Sequence, residues 1–231
     1  MERKLRGMGV SAKTAVLLGA SGLVGGYCLQ TLLADSRYAR IVLLGRRELV
    51  AARHPRLAQK VVDFDALAQA DFAGTDEVFC ALGTTMRKAG SQQGFLRVDV
   101  DYPLSAARLS RQAGAKQFLL VSSVGADAAA KNFYLKTKGQ LEQEIGKLGF
   151  KALHVFRPSL LLGKREEFRL GERIAMATLP LLNFAMAGRL RRYRAIPAAS
   201  VGKAMVAAAR QEKSGMFVYE YEAIRKLADS I

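Results

Sequence analysis

Residues 15–25 read AVLLGASGLVG, an apolar run that passes directly into three glycines separated by two residues each. A short apolar run ending in glycine predicts a buried strand and a tight turn, and the helical spacing of the next apolar residues predicts a helix. In that setting Gly19 permits the turn, Gly22 lets the backbone approach an anion, and Gly25 lets the helix pack closely on the strand. Free N–H groups at a helix N-terminus bind a pyrophosphate, so we predict a phosphate loop whose contacts come from Gly19, Ser21, Gly22, Leu23, Val24 and Gly25. The alternative is a glycine-rich turn that only connects strand and helix.

The alternation of apolar runs and helical segments continues along the chain. Further strands are predicted at 41–44, 60–62, 78–81, 118–121, 152–156 and 215–219, and helices at 23–33, 102–112, 132–148, 201–210 and the C-terminus. Strands that are apolar throughout are buried on both faces, and right-handed crossovers between them produce a parallel sheet. We therefore predict an α/β fold, a doubly wound Rossmann sheet flanked by helices. It would form a single domain over residues 1–231, with a substrate-side or interaction segment at 159–195, where the alternation stops.

The chain of 231 residues is strongly basic, with a formal net charge of +16. Such a charge attracts phosphates, nucleic acid or acidic lipid head groups without specifying a function. The densest basic run, RLRRYR at residues 189–194, has no interleaved aromatic residue besides Tyr193 and no zinc or helix-turn-helix signature. It is therefore interpreted as a solvated face, and nucleic acid is not expected as a partner.

Two segments bear on the location of the protein. The longest uncharged stretch, IAMATLPLLNFAMAG at residues 174–188, contains Pro180 and is shorter than the roughly 20 residues of a membrane-spanning helix. It predicts a buried or interfacial helix pair. The N-terminal sequence MERKLRGMGVSAKT leads into the first strand without a small-residue cleavage site, which argues against a signal peptide. A cytoplasmic location is expected.

The cysteines and histidines are isolated from one another. Cys28 and Cys80 belong to no CxxC pattern, and neither has a neighbouring set of histidines or carboxylates. We expect both to be small core residues, with no disulfide framework and no metal site. His154 lies within the strand-like sequence ALHVF and is interpreted as a hydrogen-bonded core histidine.

The end of the second predicted strand bears on cofactor choice. Gly45, Arg46 and Arg47 stand where a dinucleotide-binding fold places the residue that faces the adenosine ribose. An acidic residue there would bind the ribose hydroxyls of NAD, whereas two guanidinium groups match a 2′-phosphate. The sequence therefore predicts NADP(H), with a solvent-facing pair of surface charges as the alternative.

Two later strand ends supply further candidate cofactor contacts. Asp63, followed by Phe64, is placed either to accept a hydrogen bond from the adenine amino group or to cap the next helix. After the fourth strand, Gly83 would let the backbone approach the middle of the cofactor, although the neighbouring threonines could simply close a turn. The predicted contacts in this loop are Ala81, Leu82, Gly83 and Thr84.

A tyrosine and a lysine in one predicted helix indicate acid/base catalysis. Tyr134 and Lys138 are four residues apart in a predicted helix, so their side chains share one face. An ammonium there would lower the pKa of the phenol, and the phenol could protonate a carbonyl oxygen while a hydride arrives. With Ser123 upstream, the three form a candidate catalytic set. The pattern YxxxK by itself also occurs on ordinary solvated helix faces.

Taken together, these motifs resemble those of the short-chain dehydrogenase/reductase superfamily. GASGLVG, ALGTT, VSSVGAD, YLKTK and FRPSLLLG occur in the order of that superfamily, over roughly residues 14–220. They look most like the atypical group related to the Tat-interacting-protein-like oxidoreductases. The resemblance implies that Tyr134 is the acid/base, that Lys138 binds the nicotinamide ribose, and that Ser123, or the adjacent Ser122, binds the substrate carbonyl. It also implies that Arg157 and Pro158 begin a loop passing over the nicotinamide.

The sequence departs from the wider superfamily in two places. Asp99 stands where extended members commonly have Asn, which puts an amide-based water relay in doubt. The region after Pro158 contains no recognisable sugar-nucleotide pocket, so an epimerase or dehydratase is not expected; its charged residues are Lys164, Arg165, Glu166, Glu167 and Arg169.

These observations lead to two hypotheses of different kinds. The first is an NADP(H)-dependent oxidoreductase that moves a hydride between the nicotinamide and a small carbonyl, alcohol or quinone-like substrate. The alternative is an NADPH-binding regulatory protein with little or no turnover, which docks on an anionic membrane or a partner protein through residues 174–194. The substrate and the oligomeric state are left open.

Overall fold

The computed structural model describes residues 12–163 and 188–231. The strands in these residues are β1 (Lys13–Leu18), β2 (Tyr38–Gly45), β3 (Leu57–Val61), β4 (Glu77–Cys80), β5 (Gln117–Val121), β6 (Ala152–Phe156), β7 (Leu161–Leu162), β8 (Ile196–Pro197) and β9 (Gly215–Tyr219). The α-helices are α1 (Leu23–Ala34), α2 (Met86–Ala89), α3 (Gln92–Leu96), α4 (Tyr102–Gln112), α5 (Phe133–Gly146), α6 (Ala198–Arg210) and α7 (Tyr221–Ala228). A π-helical turn, Arg97–Asp101, joins α3 to α4.

Seven strands form one parallel sheet in the order β3-β2-β1-β4-β5-β6-β9. The strand order reverses beside β1, which lies between β2 and β4. Leu18 at the end of β1 is level with Leu44 on one side and Cys80 on the other, so three strand ends open at the same edge. Such a reversal creates a crevice at the carboxyl ends of the strands, where α/β proteins bind ligands. The predicted doubly wound Rossmann fold is confirmed.

The central strand is buried on both faces because helices cover both sides of the sheet. Ala15 and Leu17 point toward the layer that contains α1, α6 and α7. Val16 and Leu18 point toward the layer that contains α4 and α5. All four side chains are fully buried, and each Val or Leu contributes roughly 1.5–3 kcal/mol by leaving water. This explains why β1 is apolar throughout instead of alternating.

The third strand begins earlier than its apolar residues predict. The predicted strand covers residues 60–62, whereas β3 covers Leu57–Val61 and pairs with β2 from Ile41 onward. It lies at the edge of the sheet, where one face is open and polar residues are tolerated. Gln59 and Lys60 therefore belong to the strand although they interrupt its apolar character.

The substrate-side segment predicted at 159–195 falls partly outside the described residues. Its two ends meet, because β7 and β8 form a small parallel pair and the Ser159 hydroxyl donates to the carbonyl of Arg194. Residues 188–193 form a 3₁₀ helix that carries the basic run. The five charged residues at 164–169 and most of the uncharged stretch at 174–188 lie outside the described residues.

The isolated cysteines and His154 are core residues, as predicted. Cys28 and Cys80 are fully buried free thiols, and burial raises the pKa of Cys80 to about 11. His154 is fully buried, with Nδ1 2.9 Å from the Tyr219 hydroxyl and Nε2 3.1 Å from Oε1 of Gln117. Burial lowers the pKa of His154 to about 4, because the charged imidazolium is disfavoured away from water.

Candidate functional site

A cleft of about 500 Å³ opens at the carboxyl edge of the sheet where the strand order reverses. Its walls are the turn after β1, the loop after β2, the end of β3 and the loop after β4. Lining residues from these four elements include Gly19, Ser21, Gly22, Arg46, Arg47, Gln59, Lys60, Ala81, Leu82 and Gly83. Phe64, in the 3₁₀ helix after β3, and Tyr102, at the start of α4, complete the lining. The volume falls in the usual range of small-molecule and cofactor sites.

Glycine is required at two positions of the turn after β1. Gly19 has φ +83°, and a Cβ on it would lie 2.5 Å from the carbonyl oxygen of Ala81. A Cβ on Gly25 would lie 2.0 Å from the carbonyl oxygen of Gly19. Gly22 precedes α1 without a side-chain cap, so the first N–H groups of the helix remain for an anion. The turn thus has the geometry of a phosphate loop.

Three other predicted contacts in this turn differ in what they can offer. Ser21 is exposed in the cleft. The side chain of Val24 is buried in the core, so only its backbone faces a ligand. Leu23 packs against the backbone at Gly163, where an added Cβ would approach the leucine to 2.8 Å. The groups that this loop offers to the cleft are therefore backbone N–H groups and the Ser21 side chain.

The loop after β2 presents two exposed arginines to the cleft. Arg46 and Arg47 line its wall, with no acidic residue at the strand end itself, although Glu48 follows. Gln59 on β3 holds this loop: it accepts from the N–H of Leu49 at 2.8 Å and donates to the carbonyls of Leu49 and Ala52 at 3.2 and 3.0 Å. The residues that follow the two arginines, Leu49 and Ala52, are thus hydrogen-bonded to the edge strand β3 through Gln59.

The structure supports the second interpretation of Asp63. Its side chain is exposed and accepts from the N–H of Asp65 at 3.0 Å, capping the 3₁₀ helix Phe64–Ala66. Phe64 is buried in the cleft wall, with its ring centroid 5.2 Å from that of Tyr102. An apolar wall of this kind suits an adenine ring. Tyr102 was missed at the sequence level because it sits in a helix start far from any strand end.

Loop 81–84 is tied to the predicted catalytic helix by a buried carboxylate. The Thr84 N–H donates to Oδ2 of Asp99 at 2.7 Å, while Oδ1 of Asp99 lies 2.6 Å from the Lys138 ammonium. The side chains of Asp99 and Lys138 are 2% and 4% exposed. Asp99 belongs to the π-helical turn, a local geometry that recurs at functional sites. The Lys138 ammonium is therefore held by a buried ion pair.

Tyr134 occupies the first turn of α5, on the same side as Lys138. Its ring packs against buried Phe95 at a centroid distance of 5.7 Å and is half-buried. The helix begins at an Asn132 cap, whose side chain accepts from the N–H of Leu135 at 3.1 Å. A Cβ on Gly139 would lie 2.2 Å from the backbone nitrogen of Ala128, so α5 packs tightly on the loop after β5.

The two adjacent serines after β5 have different roles. The Ser122 hydroxyl is buried and donates to the carboxylate of Glu142 on α5. Ser123 is half-buried, and within residues 12–163 and 188–231 its hydroxyl has only a long contact, 3.4 Å, to the Val124 carbonyl. Of the two, Ser123 is therefore the one with a hydroxyl free to bind a substrate.

The side chain of Arg157 does not face the cleft. Its Nε donates to both oxygens of Glu142 at 3.1 and 3.2 Å, and its Nη2 also contacts that carboxylate. The Arg157 backbone N–H also has a partner, because it donates to the Tyr219 carbonyl at 2.8 Å. The Pro158 carbonyl accepts from the Val124 N–H at 2.9 Å, which ties the loop after β6 to the loop that carries Ser123.

Three residues of this site were not singled out as functional from the sequence. Glu142 joins α5 to two loops, Gln59 anchors the arginine loop, and Tyr102 completes the aromatic wall. The position of Glu142, one helical turn after Lys138, was the only sequence signal that could have indicated it. Asp99 was noted only as a departure from Asn, and its ion pair was not foreseen.

Among the described residues, no cluster of three His, Cys, Asp or Glu side chains is arranged to hold a metal ion. Within the same residues, no helix combines the length and apolar character that a membrane span needs.

The fold is that of an NAD(P)H-binding Rossmann protein. The chain belongs to the family described as NAD(P)H-binding, which matches residues 19–173. Protein HTATIP2 of Rattus norvegicus is 43% identical over 167 residues, covering 71% of this chain and 69% of that protein. The mitochondrial protein FMP52 of Candida albicans is 35% identical over 165 residues, covering 69% of this chain and 72% of that protein. The predicted resemblance is confirmed.

Solved structures agree on the fold. MoeE5 in complex with UDP-glucose and NAD superposes with a TM-score of 0.67 at 16% identity, covering 94% of this chain and 81% of that one. A putative NAD-dependent epimerase/dehydratase from Bacillus halodurans superposes with a TM-score of 0.65 at 20% identity, covering 95% and 100%. At these identities the likeness establishes the Rossmann architecture and not a shared substrate.

The relatives contradict one expectation. Several homologous proteins from fungi are named mitochondrial, including those of Candida albicans and Emericella nidulans. A purely cytoplasmic location, expected because the N-terminus shows no signal-peptide cleavage site, is therefore wrong as a conclusion from this sequence. The absence of a secretory cleavage site does not address mitochondrial location.

Proposed function

We propose that this protein is an NADP(H)-dependent oxidoreductase that transfers a hydride between the nicotinamide and a carbonyl or alcohol. One continuous arrangement carries the proposal. The cleft runs from Arg46 and Arg47 past the glycine turn to Gly83, and the next residue, Thr84, connects through Asp99 to Lys138. The Asp99 ion pair thus joins the proposed catalytic helix to the loop that lines one end of the cleft.

The residues of the cleft fit a dinucleotide. The glycine turn and the N-terminus of α1 would hold the pyrophosphate, and the Phe64–Tyr102 wall would hold the adenine. Arg46 and Arg47 would bind a 2′-phosphate through paired N–H groups. When bound, the cofactor supplies or accepts the hydride.

Side chains of the protein, in this proposal, transfer the proton to and from the substrate oxygen. During reduction, Tyr134 would donate its phenolic proton to the substrate oxygen as the carbonyl carbon accepts the hydride. Ser123 would donate a hydrogen bond to the same oxygen and hold it in place. Lys138 would bind the nicotinamide ribose and favour the phenolate that remains. In oxidation each transfer runs in reverse.

Changing Tyr134 to Phe tests the catalytic assignment. Loss of the hydroxyl should reduce NADPH oxidation on a panel of carbonyls and quinones by at least about 100-fold, the range of a general acid. The affinity for NADPH, measured by fluorescence titration, should stay within about threefold, since the ring is retained. Tyr221→Phe, on α7, is the matched control and should keep both properties. Turnover by Tyr134→Phe at the wild-type rate on a true substrate would disprove the assignment.

A second candidate function is cofactor binding without turnover, in a protein that docks on an anionic membrane or a partner. The observation that favours it is the exposure of Leu190 and Tyr193 beside Arg191 and Arg192 in the 3₁₀ helix. Apolar side chains among arginines suit an interface with acidic lipid. The two arginines also approach Glu222 and Glu220 at 3.6 and 3.7 Å, which reduces their net charge.

Co-sedimentation with phosphatidylserine vesicles separates the two functions. Salt-sensitive binding that is lost in Arg191→Glu/Arg192→Glu, with no reductase activity across the panel, would favour docking. Equal binding by wild type and the double variant would count against it, and reductase activity would favour the oxidoreductase.

A further inference from the structure

The most unusual feature near the proposed catalytic residues is the buried Asp99 carboxylate. It lies 1% exposed between two donors that belong to different elements, the Thr84 N–H at 2.7 Å and the Lys138 ammonium at 2.6 Å. A Cβ on Gly83 would lie 3.6 Å from Oδ1 of Asp99, so the cofactor loop packs directly on this carboxylate.

The arrangement of donors explains why the residue is an aspartate. Each donor needs an acceptor oxygen, and a carboxylate offers two. An asparagine offers only one acceptor oxygen. Its NH₂ group, a donor, would then face another donor, either the Lys138 ammonium or the Thr84 N–H. A lone buried ammonium is also costly, and a counter-charge at hydrogen-bond distance offsets that cost.

We propose that Asp99 is a positioning residue that supplies the buried counter-charge of Lys138 and directs its ammonium at the nicotinamide ribose. It does so while holding the cofactor loop through Thr84. The proposal rests on the proposed function insofar as Lys138 contacts the cofactor. The new element is that the contact between Lys138 and the cofactor depends on the buried carboxylate of Asp99. This carboxylate links the loop after β4 to α5.

Other ionisable groups in the described part of the chain lie near the pair. Tyr134 stands one helical turn before Lys138, and Glu142 one turn after it is held by Arg157. Cys80, at the end of β4, interacts electrostatically with both Lys138 and Asp99. Burial raises the pKa of its thiol to about 11, so the thiol stays neutral below pH 9. Without Asp99, Lys138 would be a lone buried ammonium, and burial disfavours the charged form of a lysine.

NADPH titrations of the full-length chain at pH 7, 8 and 9 test the proposal. Wild-type affinity should be nearly constant over this range. In Asp99→Asn, burial without a counter-charge favours neutral lysine, so affinity should fall by about tenfold or more toward pH 9. Asp101→Asn removes the same charge from an exposed position in the same π-helical turn and should behave like wild type.

Three outcomes would overturn the proposal. Asp99→Asn could bind NADPH as tightly as wild type at every pH, or it could lose affinity equally at every pH, which would indicate a purely structural role. Alternatively, Lys138→Met could bind like wild type, which would remove the lysine from the cofactor site. Failure of the proposed function has a different signature: no turnover on any substrate, with the pH-dependent binding of Asp99→Asn intact.

A second pair of variants covers the case in which Asp99→Asn does not fold. Asp99→Asn/Lys138→Met contains no lone buried charge and is compared with Lys138→Met. If Asp99 acts through Lys138, removing Asp99 should have little further effect once the lysine is gone, so the two substitutions are non-additive. The double variant and Lys138→Met should then bind NADPH within about threefold of each other at every pH. A further tenfold loss in the double variant would contradict the proposal.

Discussion

At the scale of single residues, the buried polar groups of the site form hydrogen bonds and ion pairs with one another. Ser122 and Arg157 converge on Glu142, while Thr84 and Lys138 converge on Asp99. Arg46 and Arg47 are the contrast, since both are exposed at the wall of the cleft. Preorganised polar groups cost little to arrange when a ligand binds, whereas exposed arginines lose side-chain freedom in return for a charged hydrogen bond.

Removing both arginines tests cofactor choice at this scale. In Arg46→Ala/Arg47→Ala, NADPH affinity should fall by about 10- to 100-fold, because hydrogen bonds to a charged group contribute roughly 1.5–3 kcal/mol. NADH affinity should change by less than about threefold, as measured by parallel fluorescence titrations. Arg53→Ala removes an exposed charge outside the lining of the cleft and should leave both affinities unchanged. An equal loss for NADH and NADPH would refute the 2′-phosphate assignment.

At the scale of elements, close backbone contacts decide how the helices seat on the sheet. Gly202 in α6 faces α1, and a Cβ on it would lie 2.7 Å from the backbone nitrogen of Cys28. Gly26 in α1 faces more open space, with its nearest atom 3.7 Å from an added Cβ. The same residue type thus serves close packing in one helix and is merely tolerated in the other.

Alanine at these two glycines should have opposite effects on the free energy of unfolding. Gly202→Ala should destabilise the protein by about 1–3 kcal/mol, because overpacking forces the two helices apart. Gly26→Ala should stabilise it by up to about 1 kcal/mol through higher helix propensity. Urea unfolding followed by circular dichroism measures both. Stabilisation by both substitutions would show that α1 and α6 do not pack this closely.

At the scale of the whole molecule, a chain of buried polar groups crosses the sheet from β1 to β9. Glu77 accepts from Lys13, Tyr38 and Gln117, and Gln117 in turn meets His154. His154 continues the chain to Tyr219 on the edge strand. Because Oε1 of Gln117 can only accept, Nε2 of His154 carries the proton and Nδ1 accepts from the tyrosine hydroxyl. The neutral imidazole therefore fits this series of hydrogen bonds. A second proton, on Nδ1, would remove the acceptor for the Tyr219 hydroxyl.

His154 should therefore make stability depend on pH. Its pKa is about 4 in the folded protein and near 6.5 when unfolded, so between these values only the unfolded chain binds the proton. Stability should be full above about pH 6.5 and fall as the pH is lowered toward 4, by on the order of 2–3 kcal/mol. Urea unfolding at pH 7.5, 6 and 5 should show this fall in wild type and a shallower one in His154→Gln. His54→Gln, which changes the other histidine, should retain the wild-type slope; identical slopes in all three proteins would contradict the argument.

The sequence by itself determined the parallel sheet, the glycine turn between β1 and α1, the buried cysteines and the core histidine. Each of these is encoded locally, by apolar runs, by glycine spacing or by the strand that contains the residue. Tertiary structure decided that Asp63 caps a helix, that Ser122 is bound by Glu142, and that the Arg157 side chain turns away from the cleft.

Tertiary structure also decided the partner of Lys138. Asp99 and Lys138 are 39 positions apart in the sequence, and only the packing of α5 on the π-helical turn brings them to 2.6 Å. Spacing along a chain specifies which residues share a helix face, but it does not specify which buried charge will meet another across two elements. That depends on how the whole sheet positions its loops at one edge.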